Sequence, residues 1–288
     1  MSVLSTALSL AVLSLAYASL FALERALPLR QAKARLLPRL FVNVVVSTAA
    51  FAVAAALVQR AAAATLDFTH VRSFGLIPLI GLSGMLEIAA AFLLLDLSFY
   101  YWHVANHRIA FLWRFHNVHH IDPDLDVTTA FRFHFVEVGL SAGFRAAQVL
   151  LIGPSLAAYV LYELVFQLGT LFHHSNLRIP LSIERALNMV LVTPRMHGIH
   201  HSDIQDENLK NLGVVFPWWD RLHRTLRLNV PQAQVRIGIP GYSRAEDNAA
   251  LQALVMPFRP QRDYWEGPQG RQLRREAASS SANARLSA

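Results

Sequence analysis

The chain has 288 residues, of which 54% are hydrophobic and only 16% are charged. Soluble domains usually carry about 25% charged residues, so this balance predicts a membrane protein. The net charge of +7 does not predict a nucleic-acid partner, because the basic residues lie between apolar segments and in the C-terminal third, as in loops that face anionic lipid. Cysteine is absent, so disulfides, thiolate catalysis and cysteine-bound metals are excluded.

Apolar segments mark the predicted membrane helices. Residues 2–23 are long enough to cross about 30 Å of hydrocarbon, and without a basic residue ahead of them they indicate a retained helix, not a cleaved signal. Residues 40–58 and 85–102 predict the next two spans, with a mixed polar connection at 59–72. Placing the five basic residues of 25–39 in the cytoplasm sets the N-terminus outside and brings the end of the third span to the cytoplasmic side.

The fourth apolar segment, residues 139–172, is too long for one crossing. As a single helix its 34 residues would extend about 51 Å. Gly153 and Pro154 divide it at a natural break, which predicts a hairpin that spans the membrane or dips into it and returns to the same side.

The predicted fold class is therefore all-α. We expect an integral membrane protein with about four to five transmembrane or re-entrant helices and a cytoplasmic helical cap. Residues 1–266 are predicted to form one domain. Residues 267–288 lack a regular apolar spacing and predict a disordered tail.

Ten of the thirteen histidines form a series that starts where the third apolar segment ends. Residues at i, i+3 and i+4 share one face of a helix, so each H-x-x-H-H box directs its imidazoles to one point. Imidazole is the commonest metal ligand, and about ten ring nitrogens suit two ions. The predicted ligands are His103, His107, His116, His119, His120, His134, His174, His197, His200 and His201. His173 competes with His174 for one role.

Several neighbouring side chains bear on the type of site. No H-E-x-x-H motif is present, and the alternating acids from Asp122 lack the glycine and glutamate of a calcium loop. An all-imidazole site suits iron, copper, nickel or zinc. Asp96, two turns before His103, is a candidate partner for His103 or His107, and Glu163 shares a helix face with Gln167.

At these residues the chain resembles the fatty acid hydroxylase/sterol desaturase superfamily of membrane di-iron enzymes. The resemblance covers residues 96–225 and is carried by the texts DLSFYYWHVANHRIAFLWRFHNVHHIDPDLDVTTAFRFH, FHHSNLRIP, TPRMHGIHHS and NLGVVFPWWDRLHRT. It implies that the ten histidines hold two non-haem iron ions, with His134 and His174 filling the remaining family positions. The departures from the family pattern, at Leu212 and at residues 222–224, lie outside the boxes and bear on the subfamily.

The resemblance further implies an enzyme that uses O2 and electrons from a separate electron-transfer protein to hydroxylate or desaturate a lipid drawn from the bilayer. No catalytic group beyond the metal ligands is expected. The alternatives are a membrane zinc hydrolase and a membrane metal-binding or transport protein. The sequence leaves the lipid and the choice between hydroxylation and desaturation open.

Overall fold

The computed structural model describes residues 3–267, 270, 273 and 274, with side chains from residue 7 onward. This part of the chain is helical and contains no β-strand; isolated bridges join Pro28 to Leu177 and Ser202 to Ile237. The helices are α1 (Val3–Ala26), α2 (Leu36–Val53), α3 (Gln59–Arg72), α4 (Leu76–Leu79), α5 (Gly84–Arg108), α6 (Ala110–His120), α7 (Phe135–Ile152), α8 (Leu156–His174), α9 (Leu181–Leu187), α10 (Pro194–His200), α11 (Gln205–Asn208), α12 (Trp218–Leu222) and α13 (Ala250–Val255). The all-α prediction is confirmed. The predicted disordered tail lies almost wholly outside the described residues, and the domain boundary stays a prediction.

Five helical segments are long and apolar enough to cross a membrane: Ala7–Ala26, Leu36–Leu79, Gly84–Arg108, Phe135–Ile152 and Leu156–His174. Large apolar side chains on these segments point outward; Leu79 is 82% exposed and Met85 is 77% exposed. Such exposure is unfavourable in water and favourable in lipid. The chain is an integral membrane protein, as predicted.

The predicted hairpin is confirmed. Helix α7 ends at Gly153, which takes a left-handed conformation with φ +66°, and the side chain of Ser155 caps α8. A side chain on Gly153 would overlap the carbonyl oxygen of Phe74, so the tight crossing of the two loops requires glycine here. At 18 and 19 residues, α7 and α8 are each about 27–28 Å long, close to the thickness of the hydrocarbon layer.

Contacts between loops define two ends of the bundle: the cap end, where the histidines lie, and the far end. At the cap end, the Glu24 carboxylate accepts hydrogen bonds from the backbone N–H groups of Val127 (3.0 Å) and Asn176 (2.8 Å). At the far end, the Glu87 carboxylate accepts from the backbone and hydroxyl of Ser155. Helices α5 and α8 therefore both end at the cap end, where their histidines lie.

The second predicted span, residues 40–58, lies inside a longer helical segment that could cross the membrane, Leu36–Leu79. Residues 59–72, predicted as a connection, are helical and continue α2 through a π-helical turn at Ala54–Val58. The start of the predicted span lies in the cap, where Val42 and Val46 are buried against Trp113 and Ile239. Hydropathy shows that a side chain avoids water, but it does not distinguish burial in protein from exposure to lipid. The apolar start of residues 40–58 therefore gave no sign that it packs in the cap.

A buried ion cluster fixes the start of α2 to the cap. Arg39, 7% exposed, donates from Nε to Asp122 (2.5 Å) and from Nη1 to Asp126 (2.6 Å). Asp124 accepts from the backbone N–H groups of Lys33 and Ala34. The three alternating acids therefore hold the basic loop that precedes α2.

Candidate metal centre

Four helices carry the histidines to one place. His103 and His107 lie on the last turns of α5, and the first H-x-x-H-H box ends α6. His173 and His174 end α8, and the second box forms the last turn of α10 and the residue after it. The helical spacing expected from the sequence is present in every case, so each segment presents its rings from one face.

The rings form two adjacent groups, each compact enough for one metal ion. In each group, one nitrogen from every ring lies within 4.8 Å of the others. The groups touch where the rings of His120 and His201 stack with centroids 4.2 Å apart. The first group is His103, His107, His120 and His200; the second is His119, His174, His197 and His201.

Outer hydrogen bonds orient several of these rings. The Nδ1–H of His103 donates to the carbonyl of Leu212 (2.8 Å), and that of His107 donates to the side-chain oxygen of Asn208 (2.9 Å). An Nδ1–H bound to an oxygen acceptor fixes the tautomer and leaves Nε2 free to bind a metal. The same arrangement recurs between His200 and the carbonyl of Lys210, and between His174 and the carbonyl of Thr170.

The inner nitrogens fit metal ligands. Nε2 of His197 lies 3.0 Å from Nε2 of His174 and 3.1 Å from Nε2 of His201. Nitrogens bound at right angles to one ion at roughly 2.1 Å lie about 3 Å apart, which matches this spacing. In the first group, Nε2 of His200 is buried without a hydrogen-bond partner. A buried, unpartnered lone pair aimed at other imidazoles is suited to coordination.

Burial keeps these imidazoles neutral. It lowers the pKa of His119, His120 and His201 well below the usual value, and neighbouring imidazoles lower it further. Burial also lowers the pKa of His200 to about 3. Neutral imidazole is the form that binds metal, so the site is ready for metal at physiological pH.

Two further histidines flank the groups, one on each side. Nε2 of His116 lies 3.2 Å from Nε2 of His120, and the His173 ring lies 4.2 Å from that of His197, centroid to centroid. His116 is 3% exposed and His173 is 1% exposed. Spacing left the choice between His173 and His174 open, and the family resemblance selected His174; the structure places His174 in the second group and His173 beside it.

His134 is not brought to either group. Its Nδ1 accepts a hydrogen bond from the backbone N–H of Val136 and caps α7, while its Nε2 donates to the carbonyl of Leu254 (3.0 Å). Both ring nitrogens are therefore engaged away from the candidate metal sites. The predicted ligand role of His134 does not agree with this geometry.

We expect His134→Ala to leave the metal content unchanged and to lower the free energy of unfolding by about 1 kcal/mol, because it removes a helix cap. His134→Asn, which can still cap α7, should lose less stability. Metal analysis and thermal unfolding of the purified variants check both statements. Loss of one metal ion from both variants would restore His134 as a ligand.

Asp96 also has a different role from the predicted one. Its carboxylate accepts from the indole N–H of Trp219 (2.7 Å) and from the backbone N–H groups of Val215 and Phe216. His103 and His107 have other partners. Asp96 therefore fixes the loop before α12 to α5, and this loop continues from the residues that hold His103.

Sequence reasoning missed the groups that support the rings. Glu137, on the first turn of α7, accepts from Nδ1–H of His116 at 2.7 Å. The Asn208 side chain contacts both His107 and His120. Glu137 could have been found as an acid in the first turn of a helix that begins next to a histidine. Asn208 carried no such signal, because it lies far from both rings along the chain.

A cavity of about 840 Å³ lies between the membrane helices and the candidate metal centre. Its wall at the metal centre includes six histidines, and its side walls come from α1, α2, α5, α7 and α8. A cavity of this size suits a ligand as large as a lipid chain. The histidines that border it are His103, His116, His119, His173, His174 and His197.

Two buried imidazole groups facing a cavity among membrane helices define a candidate membrane metalloprotein. The fatty acid hydroxylase family model matches residues 88–225, which include all the predicted ligands. Over these residues, which are just under half of the chain, the sequence matches this family, as the resemblance indicated.

Known proteins with similar sequences are named as hydroxylases or monooxygenases of lipids. Ornithine lipid hydroxylase OlsE of Rhizobium tropici is 27% identical, over 60% of this chain and 50% of its own. Human alkylglycerol monooxygenase is 28% identical, over 47% of this chain and 29% of its own. The cholesterol 25-hydroxylase-like protein of Danio rerio is 29% identical, over 49% of this chain and 55% of its own.

The match spans about half of the first of these relatives and less than a third of the second. No solved structure matches the chain.

Proposed function

We propose that the protein is a membrane-bound, O2-dependent di-iron oxygenase that hydroxylates a C–H bond of a lipid. The observation that carries the proposal is the pair of adjacent histidine groups that face a cavity between membrane helices. The relatives named for hydroxylase or monooxygenase activity on lipids favour hydroxylation over desaturation.

The donor set supports two metal ions. Each group offers four imidazole nitrogens, and His116 and His173 stand next to them as additional ligands. When bound, a pair of irons would supply the activation of O2, with two electrons delivered by a separate protein. The chain's own part is to fix the ligands, position the lipid and limit access of water.

Specific residues perform these tasks. Leu212 and Asn208 fix the tautomers of His103 and His107. The Glu137 carboxylate accepts the hydrogen bond from His116, which makes that ring a stronger ligand for a metal. The buried position of these groups keeps water from the reacting carbon.

We further propose that the cap lies on the cytoplasmic side. The loop between α1 and α2 is at the cap end and carries Arg30, Lys33 and Arg35. Short loops rich in arginine and lysine favour the cytoplasm. A soluble or peripheral electron donor would reach the centre from this side.

Lipid analysis tests the proposed function. Cells expressing the protein should accumulate a lipid heavier by one oxygen atom than its precursor, and the product should depend on O2. Cells expressing an inserted His200→Ala variant should lack it. Equal lipid profiles in both strains, with metal-loaded protein present in the membrane of the first, would contradict the proposal.

A further inference from the structure

A charged pair lies in the membrane-spanning part of the cavity. Nη2 of Arg145 on α7 is 2.8 Å from Oε1 of Glu163 on α8, and both residues line the cavity. Charged groups inside a membrane are costly, and they are rare unless they serve a function. The proposed reaction at the histidines does not use this pair.

Arg145 is held by protein groups on several sides. Its Nη1 donates to Gln148 at 2.9 Å, and its guanidinium lies over the rings of Phe99 (4.9 Å) and Phe166 (5.3 Å). Its side chain is only 6% exposed, whereas that of Glu163 is 29% exposed. The carboxylate of Glu163 is therefore the member of the pair that the cavity can reach.

Gln167 extends this polar surface toward the metal centre. It follows Glu163 by one turn on the same face of α8, as predicted from the sequence, and it also lines the cavity. Thr170 and His174 continue the line. His174 is eleven residues after Glu163, so the two lie about 16 Å apart along the helix axis. The walls from α1 and α2 are largely apolar, with Leu10, Leu13, Val44, Phe51, Ala54 and Val58.

We propose that Glu163 and Gln167 bind a hydrogen-bond donor on the lipid substrate, a hydroxyl or a protonated amine, with Arg145 positioning the carboxylate. The substrate class is then an elongated lipid with its donor group about 16 Å from the end that meets the histidines. This inference rests on the proposed function, because it assigns that function a substrate class. A carboxylate accepts hydrogen bonds and cannot donate one when ionised, so it selects a donor.

Binding of three matched probes tests the inference without turnover. The probes are long-chain lipids with the same photoreactive group that differ only at the far end: a hydroxyl, an amine or a methoxy group. The purified protein in lipid nanodiscs should bind the hydroxyl or the amine probe about tenfold or more tightly than the methoxy probe, because a hydrogen bond to a charged group is lost with the last. A preference for the hydroxyl probe alone identifies a lipid alcohol, and one for the amine probe alone identifies an aminolipid. Equal binding of all three overturns the inference.

Variants separate recognition from a structural role of the pair. Glu163→Gln keeps an acceptor oxygen without its charge and should lower the ratio between donor and methoxy probes, and the double variant Arg145→Met/Glu163→Leu should bring it close to one. The double variant removes both charges, so it does not leave a buried arginine unpaired. Glu87→Gln is the matched control, since Glu87 is an acid on a membrane helix that does not line the cavity. A purely structural pair would lower stability in the variants while the ratio stayed at its wild-type value, which would also overturn the inference.

Metal content measured on the same samples distinguishes the two proposals. If the protein holds metal and oxidises a lipid but shows no donor preference, this inference fails alone. If donor preference depends on Glu163 but the metal-loaded protein oxidises no lipid with O2, the proposed function fails and the binding site remains.

Discussion

His200→Ala should abolish lipid oxidation and lower the metal content, while the protein still inserts into the membrane. Nε2 of His200 is buried and unpartnered, and its Nδ1–H is fixed by the carbonyl of Lys210. Changing only the groups that orient a ligand typically costs 10–100-fold in metal affinity or activity, so loss of the ligand itself should exceed about 100-fold.

His116→Ala should also lower both lipid oxidation and metal content. It removes a ring whose Nε2 is 3.2 Å from that of His120 and whose Nδ1–H is held by Glu137. His70→Ala is the control: His70 is exposed at the far end of α3 and should change neither activity nor metal content. Metal analysis and turnover of the purified proteins are the measurements. Unchanged metal content in both His116→Ala and His200→Ala would refute their roles as ligands.

Arg39→Met should cause a larger loss of stability than His134→Ala. The substitution leaves Asp122 and Asp126 buried side by side without the cation that both of them bind. Removing one partner of a buried ion pair typically costs about 3–5 kcal/mol, because the remaining charge stays desolvated. The free energy of unfolding of the detergent-solubilised protein measures the loss.

This loss should depend on pH. Burial alone would raise the pKa of Asp126, but the adjacent Arg39 charge outweighs it and holds the pKa below its usual range. The stabilisation is therefore present above the ordinary aspartate pKa of about 3.9 and disappears as the pH falls through the lower, folded value. Arg108→Met, at an exposed position at the end of α5, is the control and should change stability little. A loss of similar size in both variants would contradict the role of the cluster.

Local patterns predicted much of the fold and the candidate site. The H-x-x-H-H spacing places rings on one helix face, and Gly153 with Pro154 breaks a segment too long for one crossing, so both features follow from short stretches of sequence. The return of His174 to the other boxes followed from that break. In the structure, the rings of His103, His107 and the two H-x-x-H-H boxes lie together, as this local spacing predicted.

The features that were missed depend on long-range contacts. Asp96 and His134 find their partners at Trp219 and Leu254, more than 100 residues away along the chain. Helical spacing therefore assigned Asp96 to His103 or His107, and the histidine series with the family resemblance assigned His134 to the metal. The helical continuation at 59–72 was missed for a different reason: its composition is mixed, and packing against α7 supports it.

The metal content of the purified protein tests the central claim most directly. We expect about two iron ions per chain, held by the two histidine groups, together with lipid oxidation that requires O2. A conduit for metal transport would need metal ligands along the spans, whereas the histidines here gather at one end. A single tightly bound zinc ion, with activity that persists without O2, would contradict the account and favour a membrane hydrolase.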